Sequence, residues 1–229
     1  DVNGEQEEGV DPFENYQIEF DDIERYELIS PIGSGKYSTV FYGRADRCRP
    51  CAVKILKNIP FIKIQKEVAL LKMVSNLPHA VNTYGIVKDQ LTQTISIVFE
   101  YQESEPPRTL YPKLSLDEIR HFMFDLLTSL DAAHSKGIMH RDVKPGNILI
   151  SKKNHNLKLI DWGLADLYYK GKAYSVRVST MRYKAPELLL GYQYYDYGVD
   201  IWGAGCVFAE MLVKFPFFEG RDINEMVTD

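Results

Sequence analysis

The sequence predicts an α+β protein in two lobes, and three observations predict it. Residues 25–57, RYELISPIGSGKYSTVFYGRADRCRPCAVKILK, alternate apolar and β-branched residues with Gly and Pro punctuation, the pattern of three strands joined by turns. The stretch ESEPPR breaks every periodicity at Pro106-Pro107 and reads as a linker. Beyond it, apolar residues recur at helical spacing.

The elements follow in order. After the three strands, IKIQKEVALLKMV carries Ile64, Val68, Leu71 and Val74 on one helical face, and TISIVFEY is a buried strand. Ser115 with Glu118 three residues on forms a capping box that opens a long helix, striped by Ile119, Phe122, Met123, Leu126, Leu127 and Leu130. Gly137 stops it. NILI and LKLI are short strands flanking residues 152–156. VDIWGAGCVFAEML is apolar on nearly all sides, which predicts a helix buried in the second lobe. The resulting division is an acidic segment at 1–25, a small lobe at 26–100, a hinge at 101–107 and a large lobe at 108–229.

Composition narrows the function. A chain of 229 residues that is 45% hydrophobic can fill one good core or two small ones. No apolar run reaches the roughly 18 residues that span a bilayer, so no membrane contact is expected, nor any direct nucleic-acid contact. Three cysteines make no disulfide framework and favour a reducing compartment. Cys48 and Cys51 do form C-x-x-C, but no second pair follows to complete a zinc site, and an accident of strand and turn is the favoured reading. The net charge of −5 is uneven. Residues 1–25 hold ten acids and one base, leaving 22 acids and 26 bases in the remainder, a net +4.

Several segments carry groups suited to phosphoryl transfer. Gly33-Ser34-Gly35-Lys36-Tyr37-Ser38 lies between two predicted strands, where glycines let backbone amides close over phosphates. Its hairpin setting argues against a dinucleotide-binding turn, which needs a strand followed by a helix. Lys54 sits in the apolar strand AVKIL, costly unless paired, and Glu67 lies 13 residues later on the next helix. HRDVKPGN at 140–147 offers a carboxylate (Asp142), an ammonium (Lys144) and an amide (Asn147). Asp161 follows LKLI and precedes Trp162-Gly163, a carboxylate at a strand end that suits Mg2+. Ala185-Pro186-Glu187 closes the series.

Each segment alone is ambiguous. Their order, from glycine hairpin through strand Lys, helix Glu, HRD loop and D-x-G to APE, is the signature of protein kinases. The chain therefore resembles that family, which implies a two-lobed α+β kinase fold using ATP and Mg2+. The resemblance assigns Asp142 to position the substrate hydroxyl and accept its proton, and Asn147 with Asp161 to hold the metal. Lys144, which neutralises γ-phosphate charge, and Thr180, whose hydroxyl bridges Asp142 and Lys144, mark the serine/threonine type. The nucleotide pocket is expected to use Ile32, Gly33, Ser34, Gly35, Lys36, Tyr37, Ser38, Val40, Ala52, Lys54, Glu67, Phe99, Glu100, Leu149, Ile160 and Asp161.

GSGKYSTVF, VKILK, IVKD, GIMHRDVKP, LIDWGLAD, VRVST and YDYGVDIWGAGC resemble the catalytic subunits of the casein kinase II family more closely. That resemblance implies acidic Ser/Thr substrates, a regulatory (beta) subunit dimer docked on the hairpin IVKDQLTQTISIVFE, and a place in cytoplasm and nucleus. It also implies activity without phosphorylation of Tyr174, Ser175, Ser179 or Thr180, with Trp162 buried and its indole N–H on a backbone carbonyl. Two features depart from it: the family's lysine run is replaced by residues 58–63, NIPFIK, and Met181 stands where an Arg is usual. Acid preference then rests on Lys144, Arg177, Arg182 and Lys184. Against the family's length, the large lobe reads as truncated at its C-terminal end. The acidic segment is expected to brace the small lobe and the activation segment through Phe13, Tyr16, Ile18 and Phe20, the rival being occlusion of the peptide site. The rivals for the whole are a nucleotide-binding pseudokinase scaffold and a proline-directed kinase.

Overall fold

The three predicted strands form as β1 (Tyr26–Ser34), β2 (Ser38–Ala45) and β3 (Arg49–Leu56) in the computed structural model, which describes residues 13–220 and 222–228. Helix α1 (Phe61–Val74) follows, then β4 (Thr83–Lys88) and β5 (Ile95–Glu100). The five strands make one sheet in the order β1-β2-β3-β5-β4. Ala45, Cys51, Val53, Val87 and Val98 form a buried cluster in it, which puts Cys51 in the core and Cys48 at an exposed turn. Among the described residues no group of three His, Cys, Asp or Glu side chains could hold a metal.

The chain divides into two compact units, and the boundary differs from the predicted one. The first holds the described residues up to Lys72 with Thr83–Phe99; the second holds Met73–Asn82 with the chain from Glu100 onward. Backbone bonding explains why Met73–Asn82 joins the second unit. Ala80 bridges Leu159 in parallel, Val81 N–H donates to Leu159 O at 3.1 Å, and Leu159 N–H donates to His79 O at 2.7 Å. A contiguous small lobe at 26–100 could not foresee that pairing.

In the first unit the acidic segment's described end packs on the sheet and α1. Phe13 is buried, Gln65 Nε2 donates to Tyr16 O at 2.8 Å, and Asp21 N–H donates to Ile86 O at 2.7 Å. Phe20 is exposed, so three of the four expected anchors are turned inward at least in part. Residues 1–12, with the opening DVN and half of the ten acids, lie outside the described residues.

The second unit is built on helices α2 (Pro107–Leu110), α3 (Leu116–His134), α4 (Pro186–Leu189), α5 (Gly198–Val213) and α6 (Ile223–Thr228). Its strands are β6 (Ile138–Met139), β7 (Ile148–Ser151), β8 (Asn156–Leu159) and β9 (Asp166–Leu167), paired β6 with β9 and β7 with β8. The capping box is present: Ser115 Oγ accepts from Glu118 N–H at 3.2 Å, and Glu118 Oε2 accepts from Ser115 N–H at 2.8 Å. Lys152 also meets Glu118 at 2.8 Å. These donors, Lys152 foremost, hold the Glu118 carboxyl down to about 2. Gly137 ends the α3 turn at φ 77°, a conformation that favours glycine.

Helix α5 corrects one expectation. Val199, Asp200, Gly203, Val207 and Met211 are buried, but Ile201, Trp202, Phe208 and Leu212 are 37–49% exposed. Apolar composition all round marks a helix buried all round only when something covers both faces. Leu127 of α3 likewise leaves its stripe and is 44% exposed.

Candidate active site

In the first unit, strand register gathers one set of predicted groups. Val40 pairs with Lys54 and Tyr42 with Ala52 across β2 and β3, so Val40, Ala52 and Lys54 share a sheet face. Lys54 Nζ meets Glu67 Oε1 at 2.8 Å, their side chains 15% and 7% exposed. This pairing offsets much of the cost of placing an ammonium in an apolar strand. The hairpin Ile32–Ser38 is closed by Gly35 N–H donating to Ser38 O at 2.8 Å. A Cβ at Gly33 would meet only Val40 Cβ at 3.8 Å, and one at Gly35 only Ser38 O at 3.9 Å. Neither has a positive φ, so the fold itself does not demand glycine at either place. Space kept where a side chain would fit is what a backbone cradle for a phosphate requires. Ile32 and Tyr37 are exposed, Lys36 lies over the Tyr37 ring at 5.0 Å, and Phe99 is half-buried on β5.

The second unit gathers the other set around Asp142. Oδ2 of this 5%-exposed carboxylate accepts from Lys144 Nζ at 2.7 Å and from Asn147 Nδ2 at 2.9 Å. Oδ1 accepts from Thr180 Oγ1 at 3.0 Å, and the same hydroxyl accepts from Lys144 Nζ at 2.8 Å. Asp142, Lys144 and Thr180 thus close a ring of contacts, three donors on one carboxylate. Asn147 Nδ2 donates also to Asp142 O at 2.9 Å, while its amide oxygen accepts from none of the described residues and remains for a cation. Asp161 is exposed and holds φ 60°, a left-handed backbone costly for a non-glycine residue, in the same unit. An amide oxygen and a carboxylate suit Mg2+, which keeps waters and phosphate oxygens for its remaining positions.

The loop's backbone is anchored from beneath. Asp200 of α5 is fully buried and accepts from His140 N–H at 2.8 Å, Arg141 N–H at 2.6 Å and His134 Nε2 at 2.9 Å. Gly203, one turn along, lies against the loop: a Cβ there would stand 2.7 Å from Val143 O, too close to exist unshifted. His140 Nδ1 accepts from Asp142 N–H at 3.2 Å and Nε2 donates to Ile160 O at 3.0 Å, partners that place the ring proton on Nε2. Sequence reasoning passed over Asp200. Its signal was there: an acid in an otherwise apolar helix is tolerable only when donors surround it.

Two sequence expectations need correction. Trp162 is 1% exposed, and its ring packs edge-on to His140 at 4.6 Å, but its indole N–H has no partner among the described residues. Aromatic packing rather than a hydrogen bond holds it. Lys184 is 8% exposed, and its ammonium donates to Val176 O at 3.1 Å and to Val178 O. Burial pulls its pKa below the ordinary lysine value. It binds its own segment, whereas Arg177 and Arg182 are exposed.

The remaining predicted residues lie close to expectation in sequence but not all in role. Leu149 and Ile160 are half-buried, at β7 and just after β8. The Glu100 carboxylate is taken by Asn82 N–H at 2.8 Å and Lys158 Nζ at 2.9 Å, and its own N–H donates to Asn82 O at 2.9 Å, so neither group stands open to a ligand. The family model described as protein kinase domain matches residues 26–229, which takes in every group described above. The chain belongs to the protein kinase domain family, whose members transfer phosphoryl groups and generally use ATP and Mg2+.

Proposed function

We propose that this chain is a serine/threonine protein kinase that transfers the γ-phosphoryl group of ATP to Ser or Thr in acidic sequence contexts, as the catalytic subunit of a casein kinase II-like complex. The observation that carries this reading is the Asp142 carboxylate bound by Lys144, Asn147 and Thr180. A carboxylate so placed can orient an incoming hydroxyl and take its proton. Lys144, 2.7 Å from it, can set its charge against the phosphoryl group. Lys144 and Thr180 both bond the acid, the pairing that marks the serine/threonine type.

Bound ATP supplies the phosphoryl group, and Mg2+ neutralises its charge. Lys54, held by Glu67, is the first unit's phosphate contact, and strand register links it to the glycine hairpin, Gly33 pairing with Val40 and Val40 with Lys54. Asn147 and Asp161 would hold the metal ion. Acid preference rests on Lys144, Arg177 and Arg182, since Lys184 is turned inward. Leu91, 94% exposed at the tip of the β4–β5 hairpin, supports that hairpin as the docking face for a regulatory-subunit dimer. Localisation to cytoplasm and nucleus follows from the same reading.

A peptide array tests it. With ATP and Mg2+, Ser peptides carrying acids after the acceptor are expected to be modified, and those with Pro directly after it are not. A preference for Pro would replace the casein kinase II-like reading with a proline-directed one.

A further inference from the structure

Away from the catalytic loop, a buried carboxylate lacks a hydrogen bond on one of its oxygens. Asp125 of α3 is 3% exposed, and its Oδ2 has no hydrogen-bond partner among the described residues. Two imidazoles stand just short of it. His79 Nδ1 is 3.5 Å away and His121 Nε2 is 3.6 Å away, within ion-pair reach but too far for a hydrogen bond. His79 Nδ1 is itself buried with no hydrogen-bond partner among the described residues. His121 Nε2 lies 3.0 Å from His155 O, so that nitrogen carries a proton and donates it to the carbonyl. Three elements therefore converge around Asp125: α3, the turn between β7 and β8 that holds His155, and the chain from α1 to β4 that holds His79.

A buried carboxylate is costly, and a neutral imidazole at such a distance offsets little of that cost. A charged imidazole attracts it and, after closing by less than an ångström, donates a charge-assisted hydrogen bond. Imidazole is the side chain whose charge ordinarily changes between about pH 5 and 8. The other charged groups on these elements are engaged or turned outward. Lys158 meets Glu100 at 2.9 Å, Lys152 meets Glu118 at 2.8 Å and Arg120 meets Asp117 at 3.2 Å. Lys153 and His155 of the turn are exposed, the His155 ring 6.3 Å from that of His121.

His79 also touches the strand that leads to Asp161. Its carbonyl accepts from Leu159 N–H at 2.7 Å, Val81 N–H donates to Leu159 O at 3.1 Å, and Lys158 Nζ donates to Ala80 O at 3.1 Å. Residues 79–81 thus hold one side of the end of β8, while Ile160 N–H, donating to Asn147 O at 2.9 Å, ties the next residue to the catalytic loop. We propose that His79, His121 and Asp125 are positioning residues that form a proton-controlled clamp: the charged imidazoles draw residues 79–81 onto α3 and steady the strand end that sets Asp161. The effect on nucleotide rests on the kinase reading above. The clamp is tight while the imidazoles are charged and slackens as pH rises and they lose their protons.

The test uses the full chain beside His79→Asn, His121→Phe and Asp125→Asn. Asn carries no charge and tolerates the left-handed φ of 54° at position 79. In the unaltered chain, amide protection at Val81 and Leu159, corrected for intrinsic exchange, should fall roughly tenfold between about pH 6 and about pH 8, the loss of one hydrogen bond to a charged group. His79→Asn and Asp125→Asn should be flat over that interval, and His121→Phe should keep part of the slope. Amides of β2 and β3 should be flat in all four chains. The calorimetric Kd for ATP with Mg2+, taken as a ratio to that of His79→Asn at each pH so that the nucleotide's own titration cancels, should rise severalfold over the same interval. The same pH slope in His79→Asn as in the unaltered chain, protection that grows with pH, or an unmoved Kd ratio would each overturn the proposal. If the unaltered chain binds nucleotide but transfers no phosphate, the kinase reading fails by itself, and exchange and binding still decide the clamp.

Discussion

Residues 140–147 and residues 33–38 are both short, polar and turn-forming, but the structure treats them differently. In the first stretch only Gly146 is exposed and Lys144 half-buried; every other residue is buried. In the second, five of the six residues are exposed, and one backbone bond from Gly35 to Ser38 closes the turn. The loop's polar groups are held by the protein before any substrate arrives: Asp200 fixes its backbone, His140 bonds the Asp142 amide, and Asn147, Lys144 and Thr180 fix the Asp142 carboxylate. The hairpin is left open, with room for a Cβ at Gly33 and Gly35 at ordinary contact distances from the described residues. Chemistry that depends on geometry within a fraction of an ångström needs the first arrangement. A cradle that must admit and release a nucleotide needs the second.

The largest effect should come from the held side. Asp142→Asn keeps the size of the side chain and removes the base, so kcat should fall by about a thousandfold with nucleotide binding nearly intact, read by steady-state kinetics beside calorimetry. Asp161→Ala should also lose Mg2+-dependent nucleotide binding. If Asp142→Asn kept its turnover, the loop would be positioned for something other than catalysis.

Gly203→Ala probes the same rigidity from outside the site. The added Cβ would stand 2.7 Å from Val143 O and 2.9 Å from Val143 Cβ, so the loop or the helix must shift. A roughly tenfold fall in kcat with unchanged ATP KM is expected, about 1.4 kcal/mol in the barrier. The open side should answer differently. Gly33→Ala with Gly35→Ala should leave the melting temperature within a degree or two, since each Cβ finds ordinary contact distances, yet raise the KM for ATP severalfold. A clear loss of stability in that variant would mean the glycines serve the fold, and the comparison would collapse.

These contrasts also show which parts could be read from the sequence. Elements governed by neighbouring residues were legible: the Ser115–Glu118 box, the three-strand run from Tyr26 to Leu56 and the Gly137 stop. The Lys54–Glu67 pair was legible too, because a lysine in an apolar strand announces its need for a partner. Groups that gain meaning only through distant partners were not. Asp166 looks like any surface acid until Arg141 closes on it, and Tyr195 is one tyrosine among several until Ser175 O and Arg141 converge on its hydroxyl. Lys184 misled because a basic residue in a loop normally points outward; here carbonyls of its own segment draw it in. For α5 the pattern revealed the helix but could not say which face would be covered.

The smallest effect belongs to the helix start, far from the chemistry. Ser115→Ala should cost about 1 kcal/mol of stability by denaturant titration, with kcat and KM unmoved. The Glu118 carboxyl, held down to about 2, adds stability above its ordinary 4.5 that is lost as pH falls toward 2. The stability gap between the unaltered chain and Glu118→Gln should therefore narrow over that window, with no change in the gap above it.

The most direct measurement is transfer of γ-phosphate from ATP and Mg2+ to three acid-flanked peptides that differ only in carrying Ser, Thr or Tyr. If the Asp142, Lys144 and Thr180 contacts do what their geometry allows, Ser and Thr are phosphorylated, Tyr is not, and Asp142→Asn abolishes the signal. Nucleotide binding without transfer to any of the three, or transfer to Tyr as readily as to Ser, would contradict it.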